Sequence, residues 1–356
     1  MRRLRYAARV FRPLLIALCL SVVSVSVVAC SHSATPARSA ESAPASTSSV
    51  RLRLVSPPWP PFTDGPDKPR VALSIVESAL SRAGFAVSFE ILPPVRWAEE
   101  LRGGTSDGSA ATWHSTERDA YLLYSKPYLQ NRLVLVGRTG SDVSAKAFAE
   151  LKGKRIGIIE GFAYGEAVDS AREPVFVKGA DTEASLRALL KSEIDYVLVD
   201  ALVVQYLFEQ EPEQAKAHFV VGSNTLVQRD LHLTVRKARP DAQRVIAAFD
   251  AEITKMLRDG SYNRLLEVGW LEADIDGDGA SELVFAGAHA GAVPPQTAYK
   301  PLPTITHPSG PAPSAGHFVI EGIVYDSWDQ VPAQYKVPAD RDLPPPKTVR
   351  FNVFKF

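Results

Sequence analysis

The sequence predicts an α/β protein of two lobes joined by two crossing strands, with a small, mostly irregular and β C-terminal extension. Three observations carry this reading. Short apolar strands alternate with amphipathic helices between residues 51 and 199, the order of a parallel sheet with helices on its faces. A later strand at residues 230–235 is placed to return the chain from the second lobe to the first. After Trp270 the alternation stops.

The elements follow in order. Arg51-Leu-Arg-Leu-Val55 alternates and predicts a strand. Residues 70–83 set Val71, Ile75, Val76, Ala79 and Leu80 on one helical face and stop at Gly84. A strand at 86–92 and a short helix at 97–101, ended by Gly103-Gly104, complete the start of lobe 1. A strand at 131–137 leads into lobe 2. There residues 145–151 read as a polar helical stretch, 155–159 as a strand, 161–165 as a turn, 182–191 as a helix and 196–199 as a strand. Residues 240–258 are amphipathic, with Val245, Ile246, Phe249, Ile253 and Met256 on one side and Gly260 as the stop. Lobe 1 is therefore expected over 50–136 and 230–270, lobe 2 over 137–229 and the extension over 271–356. Within the extension, residues 271–290 hold one acidic loop and one strand. Residues 291–316, rich in Pro, Ala and Gly, predict no regular structure, and the alternation of 349–356 predicts a final strand.

The formal net charge of zero conceals an asymmetry. Arg2, Arg3, Arg5, Arg9 and Arg12 stand in the first 29 residues with no acid, and the remainder has 35 basic against 40 acidic residues. That balance gives no support to nucleic-acid binding, which needs a basic patch. The basic stretch precedes an apolar run of residues 14–29, short for a membrane span and of signal-peptide length. The run ends Val27-Val28-Ala29-Cys30 and resembles a bacterial lipobox, which implies cleavage after residue 29 and a lipid on Cys30. The other cysteine, Cys19, lies within the apolar run, so Cys30 would be the one mature thiol. Residues 30–49, mostly Ser, Ala, Thr and Pro, read as a disordered tether. The expected location is the cell envelope facing the periplasm. Ser31 after Cys30 favours the outer membrane in a Gram-negative cell.

Six segments recur at a suggestive spacing: Pro57-Pro-Trp-Pro-Pro-Phe62, Ser115-Thr-Glu-Arg118, Tyr124-Ser-Lys-Pro-Tyr128, Leu151-Lys-Gly-Lys-Arg-Ile-Gly157, Ile194-Asp-Tyr-Val-Leu-Val-Asp200 and Asp259-Gly-Ser-Tyr-Asn263. Together they resemble the bacterial extracellular solute-binding proteins of family 3, the polar amino acid binding proteins of ABC transporters. The resemblance implies a two-lobed periplasmic-binding-protein fold with the ligand between the lobes. It also implies an amino-acid-like ligand, an ABC permease or membrane receptor as partner, and a monomer that needs no cofactor.

An α-amino acid requires a cation for its carboxylate, an anion for its ammonium and a wall for its side chain. Arg118 matches the family's carboxylate clamp, a role suited to the planar guanidinium fork. Ser115 falls where the family carries a hydroxyl donor, and Asp200 matches the ammonium partner. Asp200 also reads as an N-cap for a helix starting at Ala201. Trp59, Phe62 and Trp113 are candidates for the wall. Arg96 stands either at the cleft edge as a second cation or on a solvated helix face. Two departures from the family are evident. Glu160-Gly-Phe-Ala-Tyr-Gly165 replaces a small hydroxylated turn, and Trp113 replaces a small residue; both fill or reshape the pocket.

Asp274-Ile-Asp276-Gly-Asp278-Gly-Ala280-Ser-Glu282 spaces oxygen ligands as hard Ca²⁺ requires, with the Ala280 carbonyl at the seventh position. Position twelve is Phe285, so the bidentate glutamate of an EF-hand is missing. The segment is similar to the calcium loops of FG-GAP repeats. No nucleophile elbow, zinc helix or phosphate loop is present. His114 with Glu117 is the one candidate acid/base pair beside the cleft, as in a periplasmic dehydratase. The expectation is a binder and not an enzyme; an envelope interaction protein with a degenerate binding fold is the alternative.

Overall fold

The computed structural model describes residues 51–296, 298–302 and 317–337. The expected signal segment 1–29, Cys30, most of the Pro-rich stretch 291–316 and the strand 349–356 lie outside the described residues, as does the tether 30–49.

β1 (Arg51–Ser56), whose Leu52, Leu54 and Val55 are fully buried, leads through a Pro-rich loop into α1 (Val71–Arg82). No side chain caps α1. Instead the loop carbonyls of Pro61 and Phe62 accept from the N–H groups of Val71 and Ala72, which satisfies the orphan donors of the first turn. β2 (Ala86–Ile91) pairs parallel to β1, α2 (Pro94–Gly103) opens with proline and buries Trp97 and Leu101, and β3 (Gly108–Trp113) pairs parallel to the other side of β1. β4 (Leu122–Tyr124) is short, and β5 (Leu129–Arg138) carries the chain across to the second half.

That half contains β6 (Arg155–Ile159), α3 (Glu166–Asp169), β7 (Val175–Gly179), α4 (Thr182–Leu190), β8 (Tyr196–Asp200), α5 (Ala201–Gln210), α6 (Pro212–His218) and β9 (Phe219–Val221). β6 is parallel to both β7 and β8. β10 (Val227–Arg236) returns, followed by α7 (Ala242–Arg258) and α8 (Ser261–Leu266).

The sheet order is β2-β1-β3-β10-β5-β8-β6-β7. Three parallel strands at each end flank β10 and β5, which pair antiparallel with each other and with their neighbours. The two central strands are the crossing pair expected from the sequence, and each half carries its own helices. β10 approaches β3 so closely that a Cβ on Gly108 would lie 1.9 Å from the Thr234 carbonyl oxygen; only glycine fits there.

Two expectations require correction. Residues 145–151 form no α-helix; only a 3₁₀ turn, Phe148–Leu151, is present. Residues 271–290 touch two strands and not one: β11 (Trp270–Ala273) and β12 (Glu282–Phe285) flank the acidic loop. With β13 (Phe318–Ile320) and β14 (Ile323–Tyr325) they make a second sheet, ordered β11-β12-β13-β14. Its core is aromatic, with Trp270 5.0 Å from Phe285 and Phe318 5.2 Å from Trp328 between ring centroids. Asn263 of α8, fully buried, donates to the Gly269 and Val284 carbonyls and ties that sheet to α8. Among the described residues, no helix is long and apolar enough to cross a membrane.

Candidate functional site between the two sheet halves

β3 ends at Trp113, and the chain turns at once. The Ser115 carbonyl accepts from the N–H groups of Arg118 and Asp119, opening a 3₁₀ turn at Arg118–Ala120. This throws the Arg118 side chain under the far half of the protein. Arg118 is only 8% exposed, and its guanidinium lies 4.9 Å over the Trp97 ring. Nη2 donates to the Gly161 carbonyl at 2.8 Å, and Nη1 is buried with no partner. Ser115 is half-buried beside it.

Trp59, Phe62 and Trp113 come together as one buried cluster. Trp59 is 4.5 Å from Phe62 and 5.4 Å from Trp113. The turn after β6 adds two more rings: Phe162 lies 5.5 Å from Trp59 and 5.4 Å from Trp113, and Tyr164 lies 5.3 Å from Trp113. The Tyr164 hydroxyl accepts from the Ile159 N–H, which fixes the turn to its own strand. Two cavities remain, each of about 10 Å³, both lined by Trp59, Trp113 and Phe162. Each is about the size that admits one water. Arg118 borders one and Asp200 the other, so the rings stand between the two charged candidates.

Asp200 is 3% exposed at the end of β8. One carboxylate oxygen accepts from the Leu202 N–H at 2.7 Å, capping α5; the other accepts from the Arg132 N–H of β5 at 2.8 Å. Burial pushes its pKa up to about 6 against the downward pull of those two N–H groups. The side chain thus joins β8, α5 and the crossing strand β5.

Comparison with known proteins bears on this arrangement. A family model described as bacterial extracellular solute-binding proteins, family 3, matches residues 55–272. The chain belongs to that family. The ABC transporter arginine-binding protein 1 of Escherichia coli is 25% identical over 150 residues, 42% of this chain and 59% of that protein. The chain thus matches about three fifths of that relative's length. The L-cystine-binding protein TcyJ of Escherichia coli is 24% identical over 222 residues, covering 61% of this chain and 80% of the relative. The solved structure of an ancestral arginine-binding protein bound to arginine superposes with a TM-score of 0.53 at 21% identity, over 61% of this chain and 96% of that one, a likeness of fold.

In this family-3 solute-binding protein, the sequence missed a second guanidinium at the site. Arg229, near the start of β10, donates through Nη2 to the His114 carbonyl, and its Nε is buried without a partner. Burial lowers its pKa, and the positive charge of Arg118 acts in the same direction. The available signal was a cation at the start of a crossing strand, where it meets both halves. Arg96, weighed as a second cation, stands 74% exposed in an ion pair with Glu99. His114 and Glu117 do not act together: His114 contacts Asp119, and Glu117 pairs with Arg102.

The acidic loop of this solute-binding protein joins β11 to β12. Asp274, Asp276 and Glu282 each offer an oxygen, all within 4.8 Å of one another; Asp278 is not part of that group. Asp274 accepts from the Gly277 and Gly279 N–H groups, and Asp278 accepts from the Ala280 N–H. Glu282 is buried and accepts from the Ile275 N–H at 3.1 Å. Burial raises its pKa, and the neighbouring aspartates add to the rise. These groups have the oxygen chemistry of a hard cation site.

Proposed function

We propose that this chain is a lipid-anchored extracytoplasmic receptor that captures an amino acid or a similar small carboxylate between its two lobes. It delivers the ligand to an ABC-type permease or reports it to a membrane partner. The observation that carries the reading is Arg118, a guanidinium buried between the sheet halves with one nitrogen lacking a partner. A buried donor of that kind costs about 1–3 kcal/mol until an acceptor reaches it, and a carboxylate offers two acceptor oxygens. The names of the Escherichia coli relatives, arginine-binding and L-cystine-binding, support an amino-acid-like ligand. Lipid on Cys30 would hold the protein as a monomer at the outer membrane by the tether 30–49.

A second reading has its own support. The cavities beside Arg118 and Asp200 admit about one water each, and the Gly161 carbonyl already occupies Arg118. On that reading the fold is kept as an envelope interaction protein, and the C-terminal sheet is its working part. Thermal melting of the refolded chain against amino acids and small carboxylates decides. A ligand at 100 times its Kd stabilises by about 2.7 kcal/mol, and Arg118→Ala should abolish that shift. Absence of any shift across the panel, or a shift that survives Arg118→Ala, sinks the receptor assignment.

We also infer that the loop of Asp274, Asp276 and Glu282, with the aid of Asp278 and the Ala280 carbonyl, binds Ca²⁺ as a structural ion. The convergence of three carboxylates supports this. Ca²⁺ should raise the melting temperature of the wild type and leave Asp274→Ala with Asp276→Ala unmoved; a wild type indifferent to Ca²⁺ refutes it.

A further inference from the structure

The cleft holds one buried arginine, Arg118, and one half-buried arginine, Arg229. Elsewhere in the protein Arg82 pairs with Glu252 and Asp259 and Arg239 with Asp107 and Asp241, while the half-buried Arg132 and Arg138 donate to backbone carbonyls and leave no buried nitrogen without a partner. Arg118 and Arg229 form no ion pair among the described residues. Each instead donates to one backbone carbonyl, Gly161 for Arg118 and His114 for Arg229. A carbonyl satisfies a donor but leaves the charge uncompensated, and an unpaired buried charge is costly. Each guanidinium also keeps a buried nitrogen with no acceptor, Nη1 of Arg118 and Nε of Arg229. The carboxylates that act on Arg229 from a distance are Asp230 and Asp169. Asp230 already accepts from the Gln130 side chain.

Both guanidiniums lie against the same short turn. Arg118 holds its first residue through the Gly161 carbonyl. At the other end, a Cβ on Gly165 would lie 2.6 Å from Arg229 Nη1, so the backbone there rests on the guanidinium. Both glycines have φ of 83°, a conformation that glycine adopts without strain. Between them the turn carries Phe162 and Tyr164 into the aromatic cluster.

We propose that the ligand of this cleft is a small dianion, a dicarboxylate of about the size of an acidic amino acid, with one carboxylate on Arg118 and the other on Arg229. The ligand's first carboxylate displaces the Gly161 carbonyl, and the turn 161–165 moves aside to admit it. Asp200, itself a carboxylate whose oxygens accept from the Leu202 and Arg132 N–H groups, offers no partner to either anionic end. The proposal rests on the receptor reading above and narrows it from small carboxylates in general to those with two anionic ends.

The test compares pairs of nearly equal shape that differ by one negative charge: L-glutamate with L-glutamine, and succinate with succinamate. Isothermal titration uses the mature chain refolded to remove bound solute. For the wild type, the dianion of at least one pair should bind about 10- to 100-fold more tightly than its amide, the range for one hydrogen-bonded charge. Arg229→Gln should bring that ratio close to one, and Arg229→Lys should keep most of the preference. Equal affinity for dianion and amide in the wild type, or a ratio untouched by Arg229→Gln, overturns the proposal. If Arg118→Ala still abolishes binding in that case, the receptor reading stands without it. If no member of either pair binds the wild type, the dianion proposal falls. Should Arg229→Gln fail to fold, the wild-type ratio and the Arg229→Lys titration decide the matter alone.

Discussion

Asp200 offers the most quantitative test of the structure. Its carboxyl rises from an ordinary 3.8 to about 6 because the group is buried. A folded-state pKa above the unfolded one means that the native protein binds the proton more readily than the unfolded chain. The stability attached to that proton is fully present below the unfolded value and is lost as pH climbs through the folded one. A rise of about two units, at about 1.36 kcal/mol per unit, amounts to about 3 kcal/mol in all. About 2 kcal/mol of that falls between about pH 4.5 and about pH 7.5. Asp200→Asn removes the titration. Asparagine also loses one of the two acceptors that serve Leu202 and Arg132, but that penalty does not vary with pH. Urea denaturation of both proteins across this range should therefore show the stability gap moving by about 2 kcal/mol in favour of Asp200→Asn as pH rises. Parallel curves, with a gap constant to within about 0.5 kcal/mol, would refute the burial argument. Saturating amino acid supplies an internal control. If a ligand ammonium reaches Asp200, it pulls the carboxyl down and flattens the wild-type slope.

Two further predictions concern the parts outside the cleft. Asn263→Ala strands the Gly269 and Val284 carbonyls inside the protein and should cost about 2–3 kcal/mol; an unchanged urea midpoint would show that the C-terminal sheet is held by other means. Cys30→Ser should abolish labelling by a fatty-acid analogue and move the protein from the membrane to the soluble envelope fraction, and equal labelling of both proteins removes the lipid-anchor reading.

The fold was legible where pattern and burial agree. β1 alternates, α1 and α7 present one apolar face each, and β6 and β8 are apolar runs. β3 gave little sign of itself: Gly108-Ser-Ala-Ala-Thr-Trp113 is buried on both faces, so small residues replace any alternation. β7 escaped because Val175–Gly179 is a half-exposed edge. The false helix at 145–151 has a physical origin. Phe148 and Leu151 are both buried, and their spacing of three suits a single 3₁₀ turn as well as an α-helix. At the site, the residue types pointed to Arg118 and to the aromatic cluster. They left Asp200 between two roles; one of its oxygens caps α5 and the other accepts from Arg132 of the crossing strand. Arg229 carried only the weak signal of a cation at the start of a crossing strand, because its lack of a counter-ion is a property of three-dimensional packing.

The C-terminal extension touches the crossing strand itself. The Lys300 carbonyl accepts from Arg132, and the Pro301 carbonyl accepts from the Gln130 N–H, both residues of β5. Tyr299 bridges to Leu271 of β11, so the same short stretch is fastened to the second sheet as well. The stretch lies like a splint along one of the two strands that join the halves of the protein. Bending β5 must either carry the splint with it or break its bonds. Any bending of that joint would therefore be resisted partly by residues of the C-terminal extension, far along the chain from the strands it joins.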